Sequence, residues 1–298
     1  RFALNAMNTI HSLVGTEVMT KLTSVVRQLS GNRIPLWNPA MPKGADPLPV
    51  QLNIPSSAAQ QVVYFPSCIN RTMGTAKDSD EIESLTTKTH KLLTKAGCEI
   101  IYPENISSLC CGLAFSSKGF KQQGDEKAKE LETALLKASN GGAIPILSDT
   151  SPCLQHIKEM LDQRLKLYEP VEFILKYVVD KLELTKLKET IVIHNTCSST
   201  KMGLNDSFKR LAEMCAEEVV VPFGVGCCGW AGDRGFSHPE LNEAALNNLK
   251  SSIPQGCTHG YSTSRTCEIG LSLQSGINYK SIVYLVDKCS SSKAFSFQ

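Results

Sequence analysis

Apolar positions in the opening residues recur at helical spacing, with Ala3, Ala6, Met7, Ile10, Leu13, Val14 and Val18 on one face. That periodicity predicts a helix over 2–29. A stretch carrying Pro35, Pro39, Pro42, Pro47, Pro49 and Pro55 comes next, and proline denies the backbone both helix geometry and ladder donors, so a linker or an arm lying on the surface is expected. Beyond residue 60 the pattern changes. Short β-branched runs at 62–65, 100–102, 144–147, 191–193 and 219–221, with a weaker one near Gly260, alternate with amphipathic stretches near 79–96, 122–138, 153–165, 205–215, 239–251 and 265–273. Alternation of this kind predicts an α/β fold of parallel sheets with helices on both faces.

The second half repeats the first. Val63-Tyr64-Phe65-Pro66-Ser67-Cys68 aligns with Val192-Ile193-His194-Asn195-Thr196-Cys197, and each cysteine is followed by Met-Gly, at Met73-Gly74 and Met202-Gly203. Cys110-Cys111-Gly112-Leu113-Ala114 leads to Lys118-Gly119-Phe120, as Cys227-Cys228-Gly229-Trp230-Ala231 leads to Arg234-Gly235-Phe236. A Lys- and Leu-rich segment over 165–188 is expected to join the copies as helix. The expected organisation is an N-terminal helix and Pro-rich linker over 1–59, a first lobe with connecting helix over 60–188, and a second lobe over 189–298. Each lobe would be a small parallel sheet flanked by helices.

The repeat accounts for eight of the twelve cysteines: Cys68, Cys110, Cys111 and Cys153 in one copy, Cys197, Cys227, Cys228 and Cys267 in the other. Each falls shortly after an expected strand, and the carboxyl ends of parallel strands line one crevice, so residues some forty apart can converge there. Cys153 and Cys267 also begin expected helices, where free N–H groups favour a thiolate or an anionic cluster. Gly112 and Gly229 would let the backbone turn sharply and approach a bulky inorganic core. Two thiolate quartets point to a metal or cluster, with iron–sulfur ahead of zinc, because structural zinc usually comes from two tight C-x2-C knuckles and neither copy has one. Vicinal disulfide chemistry would explain Cys110-Cys111 but not the other members of each quartet. Cys98, Cys215, Cys257 and Cys289 have no counterpart across the repeat and read as apolar fillers.

Composition narrows the partners. At 298 residues and 42% hydrophobic content the chain can bury a core, and 31 basic against 29 acidic residues leave no electrostatic footprint for nucleic acid. No apolar run is long enough to span a bilayer. The cysteines read as thiols or ligands of an intracellular protein rather than structural disulfides. The opening at Arg1, already in helical register, suggests a piece of a longer polypeptide. His156 and His194 lie near Cys153 and Cys197 and could donate to sulfur, although a polar surface position is the expectation for each. Gly232-Asp233-Arg234-Gly235 matches no nucleotide-binding fingerprint.

With C, then C-C-G, then a last cysteine in Ser-x-x-x-x-Cys (Ser148 to Cys153, Ser262 to Cys267), the chain resembles the duplicated cysteine-rich CCG domain over roughly 60–289. That domain occurs in heterodisulfide reductases, in the iron-sulfur component of glycolate oxidase and in anaerobic glycerol-3-phosphate dehydrogenases. Leu36-Trp37-Asn38-Pro39-Ala40-Met41-Pro42, Tyr64-Phe65-Pro66-Ser67-Cys68 and Arg265-Thr266-Cys267-Glu268-Ile269-Gly270 resemble more narrowly the C-terminal part of bacterial FAD-linked D-lactate dehydrogenases. The resemblance implies an oxidoreductase in which FAD, in a missing N-terminal region, oxidises a D-2-hydroxy acid. A 4Fe-4S cluster, as many as one per lobe, would then pass electrons towards a quinone or cytochrome, with the flavin and ferredoxin-like domains of the same polypeptide as partners. No residue of this piece is expected to act as acid or base. The implied location is cytoplasmic, extending to the inner face of the cytoplasmic membrane. The family pattern often ends in C-x-x-C, which supplies five cysteines to a non-cubane cluster. Here Thr150 and Ser264 stand at the first of those positions, leaving four thiolates per site for a cubane cluster or zinc.

Overall fold

The structure, a computed structural model, describes residues 1–31, 34–49, 60–77 and 79–293; Pro55 lies outside them. Two four-stranded parallel sheets form the body. The first takes β1 (Gln60–Phe65), β2 (Cys98–Ile101), β3 (Ile146–Ser148) and β4 (Leu167–Tyr168) in the order β2-β1-β3-β4. The second takes β5 (Leu187–Ile193), β6 (Ala216–Val220), β7 (His259–Ser262) and β8 (Asn278–Ser281) in the equivalent order β6-β5-β7-β8. The α/β class and the two like lobes are therefore as the hydrophobic pattern predicted.

Central strands are buried on both faces, as parallel sheets covered by helices require. In β1, Val62 and Tyr64 point into one cluster while Val63 and Phe65 point into another; in β5, Ile191 and Ile193 alternate with Val192 in the same way. The first-named residues of each strand share one cluster, which also takes in Leu92 and Leu93 from helix Leu85–Lys95 and Val283 and Val286 from helix Ile282–Cys289. The lobes thus meet through a common apolar core rather than a linker. At its rim Asp287 pairs with Lys88 at 3.0 Å and Lys95 at 2.7 Å, joining helices from different lobes.

Several expectations need correction. Helix Phe2–Leu29 is broken at Gly15, whose φ of +80° is non-helical. Over its described residues, 34–49, the proline arm is not loose on the surface. Trp37, Ala40, Met41 and Ala45 are buried, Trp37 and Met41 pack on Met19, and Pro42–Gly44 pairs antiparallel with Met73–Ala76. Proline is tolerated there because it opens a short edge strand. The segment over 165–188 is not one connecting helix. It begins as β4, turns through Pro170–Lys181 as successive helical turns, and ends in Leu182–Leu184, which pairs with Ser290–Ser292. Glu169 sets that switch by capping the first turn in a reciprocal pair with Glu172. Among the described residues no helix is long and apolar enough to cross a membrane.

Candidate metal centre

In each sheet the chain leaves the first strand for one neighbour and returns across it to the other, so the crevice opens at the carboxyl ends of β1 and β3, and of β5 and β7. Cys68 and Cys153 follow β1 and β3; Cys197 and Cys267 follow β5 and β7. Ser67 and Thr196 cap the short helices that Cys68 and Cys197 begin, accepting from Asn70 N at 3.4 Å and Ser199 N at 3.0 Å. Cys153 and Cys267 each stand third in a helix, Ser151–Met160 and Arg265–Ser275. The CCG loops after β2 and β6 supply the remaining pairs.

The members of each quartet lie near one another. In the first lobe Cys68 and Cys111 are close enough to Cys110 to perturb its ionisation, and Cys153 is close enough to Cys111 to perturb that of Cys111. In the second, Cys227 contacts Cys197 and Cys228, and Cys228 Sγ lies 3.1 Å from Cys267 Sγ. The backbone N–H of Gly112 points at Cys110 Sγ at 3.5 Å, and that of Gly229 at Cys227 Sγ at 3.4 Å. All twelve cysteines are free thiols. Each quartet is a chain of sulfur contacts. Among the described residues no group of three or more His, Cys, Asp and Glu is arranged to hold a single metal ion. By donor type, thiols suit either an iron–sulfur core or zinc, but strung out as a chain of neighbours they do not close on one zinc ion.

The lobes differ electrostatically. Cys110 is held well below the ordinary thiol range by hydrogen bonds from Cys111 and Cys68, then by Gly112 N–H and the charge of Arg71. Cys68 and Cys111, as its donors, are pushed up. In the second lobe the thiols Cys197, Cys227 and Cys228 are all raised: Cys197 chiefly by burial, Cys227 chiefly by its bond with Cys228. For Cys228 the largest single effect is a lowering by Cys227, but Cys267 and burial together outweigh it.

Gly112 and Gly229 do turn sharply, at φ +86° and +67°. Their close approach, however, is to protein. A Cβ on Gly112 would sit 2.3 Å from Gly124 O, and one on Gly229 2.3 Å from Leu241 O, so glycine lets each loop lie on the helix that follows. His194 is not on the surface. It is 2% exposed, with neither ring nitrogen hydrogen-bonded, and burial pushes it down to about 4, so it is neutral. His156 is half-buried, with Nε2 unpartnered. Cys215 and Cys289, expected as apolar fillers, are buried in the shared core, close enough for each to perturb the other. Thr150 and Ser264 are both buried, and Thr150 Oγ1 is engaged by Ser67 Oγ and Asn70 Nδ2, each at 2.9 Å.

Sequence reasoning missed the hydroxyl seam between the lobes. Ser151 Oγ contacts Thr263 Oγ1 at 2.6 Å and donates to Glu169 Oε1 at 2.8 Å; Ser199 Oγ reaches Ser151 Oγ at 3.1 Å and Thr263 Oγ1 at 2.9 Å. In the first lobe Asp149, equivalent to Thr263, accepts from Ser67 N and from Tyr64 OH, each at 2.9 Å. Small polar residues ahead of a cysteine carry no periodicity signal, although their place inside both Ser-x-x-x-x-Cys repeats was a clue.

The chain is 23% identical over 167 residues to Lactate utilization protein A 1 of Bacillus mycoides (strain KBAB4), covering 51% of this chain and 67% of that protein. Among solved structures it resembles an aspartate racemase homologue from Pyrococcus horikoshii OT3, at 12% identity, 77% and 96% coverage and a TM-score of 0.29. It also resembles glutamate racemase from Aquifex pyrophilus, at 13% identity, 76% and 81% coverage and a TM-score of 0.32. Scores that low bear on neither fold nor chemistry. The CCG cysteine-rich domain matches twice, over residues 62–158 and 191–272, which hold both quartets, and the chain belongs to the cysteine-rich CCG domain family.

Proposed function

We propose that this chain is the iron–sulfur electron-transfer part of a flavin-dependent D-2-hydroxyacid (D-lactate) dehydrogenase, with Cys68, Cys110, Cys111 and Cys153 holding one cluster and Cys197, Cys227, Cys228 and Cys267 another. The observation that carries this reading is that the two quartets, dispersed over some two hundred residues, gather at equivalent crevices of two like lobes. The CCG domain in duplicate and the relative named for lactate utilisation support it.

A bound cluster would supply one-electron chemistry; the chain's contribution is to bind, orient and tune. Thiols from three separate segments per lobe bind. The N–H groups of Gly112 and Gly229 orient the first sulfur of each pair, and hydrogen bonds to sulfur raise a cluster's potential. The capped helices behind Cys68 and Cys197 keep those residues in place. Substrate oxidation would belong to a flavin domain outside this chain, and a quinone or cytochrome would drain the electrons.

Anaerobic reconstitution with iron and sulfide, followed by iron and acid-labile sulfide counts and paramagnetic resonance of the reduced sample, tests the reading. The expected result is a cluster signal lost when both Cys111 and Cys228 are replaced by serine. Stoichiometric zinc without sulfide would support a structural docking domain instead. A colourless, folded chain whose vicinal thiols cycle with a disulfide would support thiol exchange.

A further inference from the structure

From the strand before the first cysteine to the Met-Gly that follows it, the two lobes align without a gap, so a difference at equivalent positions there is informative. Ser67 and Thr196 cap equivalent helices, Cys68 and Cys197 open them, and three residues further on stand Arg71 and Thr200. Arg71 Nε donates to Pro66 O at 3.1 Å, Nη2 to Leu109 O at 2.5 Å, and Nη1 to Ile106 O. Pro66 lies two residues before Cys68, and Leu109 directly precedes Cys110. One guanidinium therefore ties together the two loops that deliver three of the four sulfurs, and its charge also acts on Cys68 and Cys110. Thr200 does neither; its hydroxyl donates to Asn205 Oδ1 at 3.0 Å on the surface, and the positive charge that acts on Cys197 is that of the exposed Lys201, one position on, in place of a half-buried fork that ties two loops. Exposure follows the same division. Cys197 and Cys227 are exposed, whereas Cys68 and Cys110 are half-buried.

We infer that Arg71 is the positioning and potential-setting residue of the first site, and that the two sites are unequal: the first holds its cluster more firmly and at higher potential, the second is the more labile and lower in potential. This rests on the proposal that both quartets ligate iron–sulfur clusters. One-electron reduction adds a negative charge to the cluster, and a fixed cation in a partly water-excluded setting stabilises it. A planar fork of donors suits three carbonyls in different directions, which the point charge of a lysine cannot replace. The inequality also gives a direction, since electrons entering at the second site would settle on the first.

The test uses the full chain, reconstituted anaerobically. Cys228→Ser isolates the first site and Cys111→Ser the second; Arg71→Gln and Arg71→Lys are then made in the Cys228→Ser background. Midpoint potential, by optical titration, and the half-time of iron loss to a ferrous chelator are read for each. The first site is expected to have the higher midpoint and the slower loss. Arg71→Gln should lower the reduced-to-oxidised ratio at fixed potential about tenfold, ~59 mV for one electron, and speed iron loss. Arg71→Lys should recover most of the potential but not the retention, a split that a merely structural role would not produce. Failure of Arg71→Gln to take up iron while folded by circular dichroism would support the clamp. Equal midpoints and loss rates for the two isolated sites, or an Arg71→Gln variant matching its parent in both, would overturn the inference while leaving ligation intact. No iron in the unsubstituted chain would overturn the ligation reading itself, and this inference with it.

Discussion

Cys228 Sγ lies 3.1 Å from Cys267 Sγ although the two stand 39 positions apart. Neither residue has a local reason to be near the other; the parallel order of β6-β5-β7 brings their loops to one rim. If the quartets act as units, losing any one sulfur should empty one site and spare the other. Cys228→Ser and Cys267→Ser are expected to remove the same half of the bound iron, and Cys111→Ser the complementary half. Cys257→Ser, outside both quartets, should keep the full count. Iron per chain after anaerobic reconstitution is the measurement.

The loop glycines give a test that needs no metal. In Gly112→Ala the new Cβ would meet a backbone oxygen at 2.3 Å in addition to adopting a left-handed φ. Gly119, at φ +87°, has nothing within 4 Å of the same position. Gly119→Ala should therefore cost only the conformational term, about 1 kcal/mol, and Gly112→Ala about 2–4 kcal/mol, because backbone cannot give way as a side chain can. Urea midpoints of the metal-free chain separate the two; equal losses would mean that the loop does not rest on helix Lys121–Ala138 as described.

Glu169 is fully buried, and burial pushes it up to about 7 from 4.5, against the lowering effect of Ser151 and the Val171 N–H. Between those two values the native chain keeps a proton that the unfolded chain has released. Stability from this group is thus highest at acid pH and declines as pH rises through the window, by on the order of 3 kcal/mol. Glu169→Gln removes the decline, so its stability relative to the parent should climb from pH 5 to pH 7 and then level off. Parallel curves across that range would show that Glu169 does not titrate this way.

His194 works in the opposite direction. Its buried ring is pushed down to about 4 from 6.5, so on acidification the unfolded chain takes up a proton before the native chain does. Stability is lost as pH falls from 6.5 towards 4. Because neither ring nitrogen is hydrogen-bonded, His194→Phe deletes this liability without breaking a bond. The variant should resist acid unfolding better than the parent below pH 6 and differ little at pH 8, by denaturation followed at both pH values.

The eight repeated cysteines, the duplication and the first three strands of each lobe were legible in sequence, because an internal repeat and short β-branched runs can be read along the chain. Elements without such signals were not. The last strand of the second sheet, Asn278-Tyr279-Lys280-Ser281, has no β-branched residue. The run Ile282-Val283-Tyr284-Leu285-Val286 looks like a strand by propensity but is a helix, capped by Ser281 and buried against the other lobe. Packing overrode local preference there.

What the sequence determined alone is therefore the inventory of thiols and its twofold repetition, along with the alternation that makes parallel sheets the economical way to bury so many apolar runs. Only the tertiary structure decided that the lobes share one core, that the proline arm packs on the N-terminal helix and the second lobe's own cluster, that His194 is buried, and that Arg71 braces one site while its counterpart Thr200 braces neither loop of the other. These features arise between segments far apart in the chain, where shape and burial act and no spacing rule reaches.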